Sequence, residues 1–198
     1  MLKPLKQIAA NFVWKLQGEP IPQPHAVKAY FLKKVILKTG IRTLVETGTY
    51  KGDMIAAMKP YCSKISSIEL NVPLFEKAVE RFKGDKTITI HQGNSGEIMT
   101  DVIKDIDAPI IFWLDGHYSA GETSKGDLDT PIIKEIDHIA AHKNAREHVL
   151  LIDDARCFDG TNDYPTEKSL KDYLKDNGFE HFEKINDTYL ASSKSILN

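Results

Sequence analysis

The chain is expected to be an α/β protein: a doubly wound, mostly parallel sheet of seven strands, with a C-terminal antiparallel hairpin and helices at the N-terminus. Three observations carry that expectation. Short apolar runs alternate with helix-like stretches along most of the 198 residues, the pattern of repeated β-α units. Two of the runs, Ile110-Ile111-Phe112-Trp113-Leu114 and Val149-Leu150-Leu151-Ile152, are apolar throughout, which suits parallel strands covered on both faces. Successive strand-like runs also end in acids, namely Glu46, Glu69, Asp115 and the pair Asp153-Asp154.

Taken in order, Leu2, Leu5, Ile8, Phe12 and Leu16 recur at helical spacing and predict an amphipathic first helix. Trp14 falls off that stripe and would suit an interface. Residues 1–16 are open to three uses, as a docking helix, a dimer contact or a membrane-surface helix, in that order of preference. The stretch Gly18-Glu19-Pro20-Ile21-Pro22-Gln23-Pro24 cannot be helical and reads as an extended linker. Residues 1–25 therefore form a basic segment and linker, and residues 26–198 one α/β domain. A helix over Ala26–Lys38 is stopped by Gly40. Strands follow near Arg42–Glu46, Lys64–Glu69, Thr87–His91, Ile110–Asp115 and His148–Asp153. Helices lie between them near Asp53–Lys59, Pro73–Phe82, Gly96–Ile106 and Pro131–Ala141. Thr130-Pro131 supplies a cap and a first-turn proline. A last helix near Lys168–Asp176 ends at Asn177-Gly178. Phe179–Lys184 and Thr188–Ser192 then flank Ile185-Asn186-Asp187 as a hairpin. Trp113, inside an apolar strand, is expected in the core.

Composition narrows the class. A chain of this length with 41% hydrophobic residues buries one good core, and no apolar run approaches the ~20 residues that span a bilayer. Residues 1–16 lack the continuous apolar core of a secretory signal. Cys62 and Cys157 are too few for a disulfide framework, which fits a reduced cytoplasmic setting. The net charge of −2 argues against general nucleic-acid binding, but it hides an asymmetry. Residues 1–42 hold eight basic side chains against Glu19 alone, a charge of +7, leaving −9 for the remainder. A basic head on an acidic body can steer anionic substrates or touch a membrane surface, though solvated helix faces account for it more simply.

The stretch Thr43-Leu44-Val45-Glu46-Thr47-Gly48-Thr49-Tyr50-Lys51-Gly52 carries the first functional signal. A strand delivers an acid, and glycines let a ligand approach the backbone. A dinucleotide site needs a further glycine where Tyr50 stands, and a carboxylate at Glu46 would repel a pyrophosphate. Glu46 suits a ligand bearing an ammonium group instead. Glu69, 23 residues later, suits ribose hydroxyls. A nucleoside with a cationic amino-acid tail satisfies both acids.

From Ala26 onward the sequence resembles the class I S-adenosylmethionine-dependent methyltransferases, whose fold is Rossmann-like. That resemblance implies that the turn of Glu46, Gly48, Thr49 and Gly52 holds the methionine end of S-adenosylmethionine. It further implies that Glu69 holds the ribose and that the loop Gln92-Gly93-Asn94-Ser95 borders the adenine, so that Asn94 and Ser95 join the cofactor site together with Asp115.

Asp115 and Asp153-Asp154 end two strands that should be neighbours. Three converging carboxylates repel one another unless a cation lies between them, and oxygen-only ligands favour magnesium or another hard ion. The arrangement is similar to the metal site of the catechol and macrocin O-methyltransferase-like enzymes. The implied activity is divalent-metal-dependent O-methylation of a small hydroxylated acceptor, such as a sugar or glycosylated metabolite, with Asp115, Asp153 and Asp154 as ligands. Catechol-type enzymes place a lysine base where this chain has Tyr118, so His117 stands either as the substitute base or as a loop histidine bracing Asp115. The glycine-bearing stretch Gly116–Asp129 suits an acceptor lid, with Lys125, Arg156 and Asp159 as candidate acceptor contacts. His25, His91, His138, His142, His148 and His181 show no metal-binding spacing. Two other readings stay open: other metal chemistry on the same fold, as in cephalosporin hydroxylase-like relatives, and a non-catalytic cofactor-binding protein that docks through its basic segment.

Overall fold

The computed structural model describes residues 3–116 and 130–197, and the side chains of 6–116 and 130–197. Seven strands form one sheet in the order β3-β2-β1-β4-β5-β7-β6. Here β1 is Thr43–Thr47, β2 Lys64–Glu69, β3 Ile88–Gln92, β4 Ile110–Leu114, β5 Val149–Ile152, β6 His181–Ile185 and β7 Thr188–Ser192. The first five strands are parallel. The last strand to be made, β7, enters antiparallel between β5 and β6. Every residue of β1, β4, β5 and β7 is buried, as expected for strands covered on both faces.

The helices are α1 (Lys3–Leu16), α2 (His25–Thr39), α3 (Asp53–Met58), α4 (Val72–Arg81), α5 (Ser95–Ile103), α6 (Ile132–Ala140) and α7 (Glu167–Asp176). One face of the sheet packs with α5, α6 and α7 through Met99, Ile136, Leu170 and Leu174. The other packs with α2 and α3 through Leu32, Val35, Ile36, Ile55 and Met58. Local chemistry sets the helix ends. Gly40 stops α2 at φ 74°, and the side chains of Asn71, Asn94 and Thr166 accept backbone N–H groups at the starts of α4, α5 and α7.

The first helix departs from expectation. Trp14 is buried, at 2% exposure, and its indole N–H donates to the Pro20 carbonyl at 2.8 Å. The apolar stripe of Ile8, Phe12 and Leu16 is instead exposed, at 49%, 63% and 72%. The helix lies against α2 on the flank that carries Trp14, because folding back through the Pro20–Pro24 segment presents that flank to the domain. The indole is the largest apolar surface available there. Among the described residues, no helix is long and apolar enough to cross a membrane.

The chain order reverses between β1 and β4. A doubly wound sheet binds its ligand at that switch point, outside the strands' carboxyl ends.

Candidate active site

At the end of β1 the chain must turn sharply while touching its neighbour. Gly48 has φ 82°, and a Cβ there would sit 2.4 Å from the Asp115 carbonyl oxygen. Only glycine allows this contact, which brings the β1 turn against the carboxyl end of β4. Thr47 reinforces it, since the Asp115 N–H donates to both its carbonyl and its hydroxyl at 3.2 Å. Tyr50, also left-handed at φ 48°, is 43% exposed. Gly52, at φ 73°, opens α3, and a Cβ there would meet the Phe82 ring at 2.6 Å.

Glu46 lies beneath this turn at 2% exposure. Its carboxyl accepts the Ser67 hydroxyl at 2.6 Å, and Ser67 shares a second hydrogen bond with Thr49 at 2.6 Å. Burial pushes the Glu46 carboxyl up to about 8; the Ser67 bond opposes this, and the acids Asp115 and Glu69 add to it. Glu46 is thus largely protonated at neutral pH, and a cation brought to the turn would favour its ionised form.

Glu69 closes the β2 end at 5% exposure. Its two oxygens accept the Tyr50 N–H at 2.7 Å and the Asn71 N–H at 2.9 Å. It therefore ties the glycine turn to the start of α4, with a second lone pair left on each oxygen. The Asn94 oxygen caps α5 by accepting the Gly96 N–H at 3.0 Å. The Ser95 hydroxyl donates to Glu135 at 2.5 Å. The bonds of both residues serve local structure, the start of α5 and its tie to α6.

Asp115, Asp153 and Asp154 do converge. One carboxylate oxygen from each lies within 4.8 Å of the others. Asp153 and Asp154 are buried, at 3% and 4% exposure, and Asp154 is left-handed at φ 54°, which turns the chain at the rim. The Asp153 N–H donates to the Leu114 carbonyl at 3.0 Å, pinning β5 to β4 beside Asp115.

Sequence reasoning missed what sits among these acids. The Lys28 ammonium, on α2, bonds Asp153 and reaches Asp154 at 3.0 Å, with its side chain 14% exposed. Burial works against the ammonium, but Asp153, Asp115 and Asp154 outweigh it and hold Lys28 above its ordinary value, so the lysine is charged. Arg156 reaches Asp154 at 2.7 Å and also bonds Asp187 in the β6–β7 turn. It meets Asp154 at Oδ1, the oxygen that Lys28 also contacts, and ties that acid to the β6–β7 turn. Asp159 accepts the Thr161 N–H and hydroxyl at 2.9 and 2.6 Å, shaping its own turn.

Beside Asp153 a cleft is lined by Leu114, Gly116, Thr130, Glu135, Phe158 and Tyr164. Glu135, 1% exposed on α6, was also overlooked. Both omissions share a signal. Lys28 lies four residues before Leu32 and seven before Val35, and Glu135 lies between Ile132 and Ile139, so each is a charge inside a buried apolar stripe. His117, Lys125 and the lid Gly116–Asp129 fall outside the described residues, apart from Gly116 itself. Of the other histidines, His142 and His148 bond each other at 2.9 Å, and His138 bonds Thr100 and the Gly96 carbonyl. None joins the acid cluster.

A scan against protein-family models and a search of curated proteins find no match. Solved structures do resemble the chain. The O-methyltransferase TomG from Streptomyces achromogenes, involved in tomaymycin synthesis and solved with S-adenosylmethionine, aligns with a TM-score of 0.61 at 14% identity, over 93% of this chain and 87% of that one. The SAH-bound Podospora anserina methyltransferase PaMTH1 gives 0.59 at 9% identity, over 94% and 88%. A candidate caffeoyl-CoA O-methyltransferase from Staphylococcus aureus gives 0.57 at 14% identity, over 93% and 90%. The likeness establishes the fold, which is that of the S-adenosylmethionine-dependent methyltransferases.

Proposed function

We propose that the protein is an S-adenosylmethionine-dependent O-methyltransferase that holds a divalent ion, magnesium by preference, on Asp115, Asp153 and Asp154. The observation that carries this reading is the convergence of three carboxylate oxygens within 4.8 Å of one another, next to a glycine turn at the switch point of the sheet. An all-oxygen donor set from two adjacent strand ends fits a hard cation. The cofactor reading is supported by Glu46, a buried acid two residues before the Gly48 turn, and by Glu69, whose oxygens each keep a lone pair beyond their bonds to the Tyr50 and Asn71 N–H groups.

In this reading Glu46 receives the ammonium of the methionine moiety, and Glu69 receives the ribose while anchoring the turn through Tyr50. A bound divalent ion would polarise the acceptor hydroxyl and lower its pKa. The chain itself supplies position. Gly48 and Asp115 fix the distance between the turn after β1 and the acid cluster, and the acceptor is proposed to approach from the side of Asp153. Holding the two reactants in line supplies much of the rate of a methyl transfer. His117 is the proposed base.

Calorimetric titration with S-adenosylmethionine, with and without magnesium, tests the reading. Micromolar binding of the cofactor is expected, weakened at least tenfold by Glu46→Gln. Asp153→Ala should abolish methyl transfer to an acceptor while leaving cofactor binding within a few-fold. No cofactor binding would sink the proposal, and unchanged transfer by Asp153→Ala would remove the metal from it.

A further inference from the structure

We infer that Lys28 and a divalent cation are alternative occupants of the three-aspartate cluster, with the lysine acting as an internal counter-ion that must withdraw before an ion can be held. The inference rests on the metal site proposed above. It adds a residue from α2, 125 positions away in the chain from Asp153.

The argument begins with charge. Asp115, Asp153 and Asp154 bring three formal negative charges to within 4.8 Å of one another, and two of these residues are almost wholly buried. Such a group does not persist ionised away from water without a cation in contact. Of the two cations that the described residues bring to this rim, Arg156 shares Asp154 Oδ1 with Lys28 but is also held on Asp187 by its N–H and guanidinium, and so has a structural place of its own. Lys28 binds Asp153 and Asp154 together, the same pair of carboxylates that a metal would bridge.

Geometry makes the two occupants exclusive. The lysine contacts are made by Asp153 Oδ2 and Asp154 Oδ1. A divalent ion on these carboxylates would lie in contact with the ammonium, and two bare cations with no water between them repel strongly. The lysine can leave. Its ammonium ends a flexible four-carbon stem, the side chain is already 14% exposed, and α2 begins just after the proline-rich segment at Pro24. An arginine in its place would hold on more firmly, because its planar fork matches carboxylates in a bidentate fashion.

The test is manganese binding to the full-length protein by calorimetry, comparing wild type, Lys28→Met and Lys28→Arg, with Asp153→Asn to locate the ion. Lys28→Met is expected to bind manganese at least tenfold more tightly than wild type, Lys28→Arg no more tightly, and Asp153→Asn not measurably. Binding by Lys28→Met alone would support the inference while removing the metal from the native enzyme. Equal affinity in wild type and Lys28→Met would overturn the inference and leave the metal site standing. No binding by either would overturn both. A second measurement needs no variant: acetylation of Lys28 by an amine-reactive ester, followed by peptide mass spectrometry. Where the wild type binds manganese, saturating ion should speed it several-fold, and an unchanged rate at proven saturation would overturn the inference even if Lys28→Met failed to fold.

Discussion

The Ser67 hydroxyl donates to the Glu46 carboxyl at 2.6 Å beside the glycine turn after β1, on a carboxyl that burial has pushed up to about 8. At pH 7 that group carries a proton. A ligand ammonium placed against it would favour the carboxylate, so cofactor binding should expel a proton, approaching one per site. Calorimetry at pH 7 in phosphate and in Tris, which differ in ionisation enthalpy, measures it. The apparent enthalpies should diverge for wild type and coincide for Glu46→Gln. Identical wild-type enthalpies in the two buffers would remove Glu46 from the ammonium site.

Gly48→Ala should damage both fold and site. The added Cβ would stand 2.4 Å from the Asp115 carbonyl oxygen, in a backbone conformation of φ 82°. The backbone strain alone costs on the order of 1–3 kcal/mol, and the contact forces the turn away from β4. Chemical denaturation should register a loss of about 2 kcal/mol or more, and cofactor titration a loss of binding well beyond what that instability explains. Gly18→Ala also changes a left-handed glycine, at φ 81°, but has open space around it. It should cost only the backbone share and leave the cofactor site intact.

His148 makes the fold sensitive to acid. Its Nδ1 accepts the Ile110 N–H at 3.1 Å, so the proton lies on Nε2 and points to His142. Burial, with His142 adding to it, lowers the ring to about 4. The unfolded chain takes up a proton near pH 6.5, whereas the folded one resists until about 4. Stability from this group is therefore full above pH 6.5 and falls as pH drops toward 4, by up to about 3 kcal/mol. Thermal melts across that window should show a decline that His148→Asn, which keeps an acceptor for Ile110, largely flattens.

Trp14→Ala should release α1 from the domain. Removing a buried tryptophan typically costs about 3–5 kcal/mol, here concentrated at one helix–helix contact and the hydrogen bond to Pro20. Hydrogen exchange should show α1 amides losing protection while β1 and β4 keep theirs. Phe12→Ala, on the exposed side at 63%, should change little.

The strands were readable because their burial is a property of composition. Lys64–Glu69 and Thr188–Ser192 lie where their apolar runs put them, and β1 shifted by a single residue to Thr43–Thr47. The convergence of Asp115, Asp153 and Asp154 was readable for the same reason, since parallel neighbouring strands must end side by side. Contacts between helix and rim were not. Nothing in the spacing of α2 says which strand end Lys28 faces, because that depends on how far along the sheet the helix lies. The α1 stripe misled because periodicity identifies an amphipathic helix without naming the surface it meets. Trp14 won that surface through size. Glu69 was read only as a ligand group, and its hold on the Tyr50 N–H depends on a left-handed turn that sequence does not announce.

The placing of β7 between β5 and β6 has a consequence for how the site comes into being. The Arg156 N–H and guanidinium both bond Asp187, the Ala155 N–H donates to the Asp187 carbonyl at 2.8 Å, and Thr188 lies 3.5 Å from Asp153. The rim that carries the aspartates is therefore shaped by residues translated more than thirty positions after it. The turn after β1 and the end of β4 are complete in the chain well before that support is made. The far rim therefore gains its support only when the hairpin enters the sheet beside β5, so a chain clipped before Asp187 would lack the contacts that hold Ala155 and Arg156 in place.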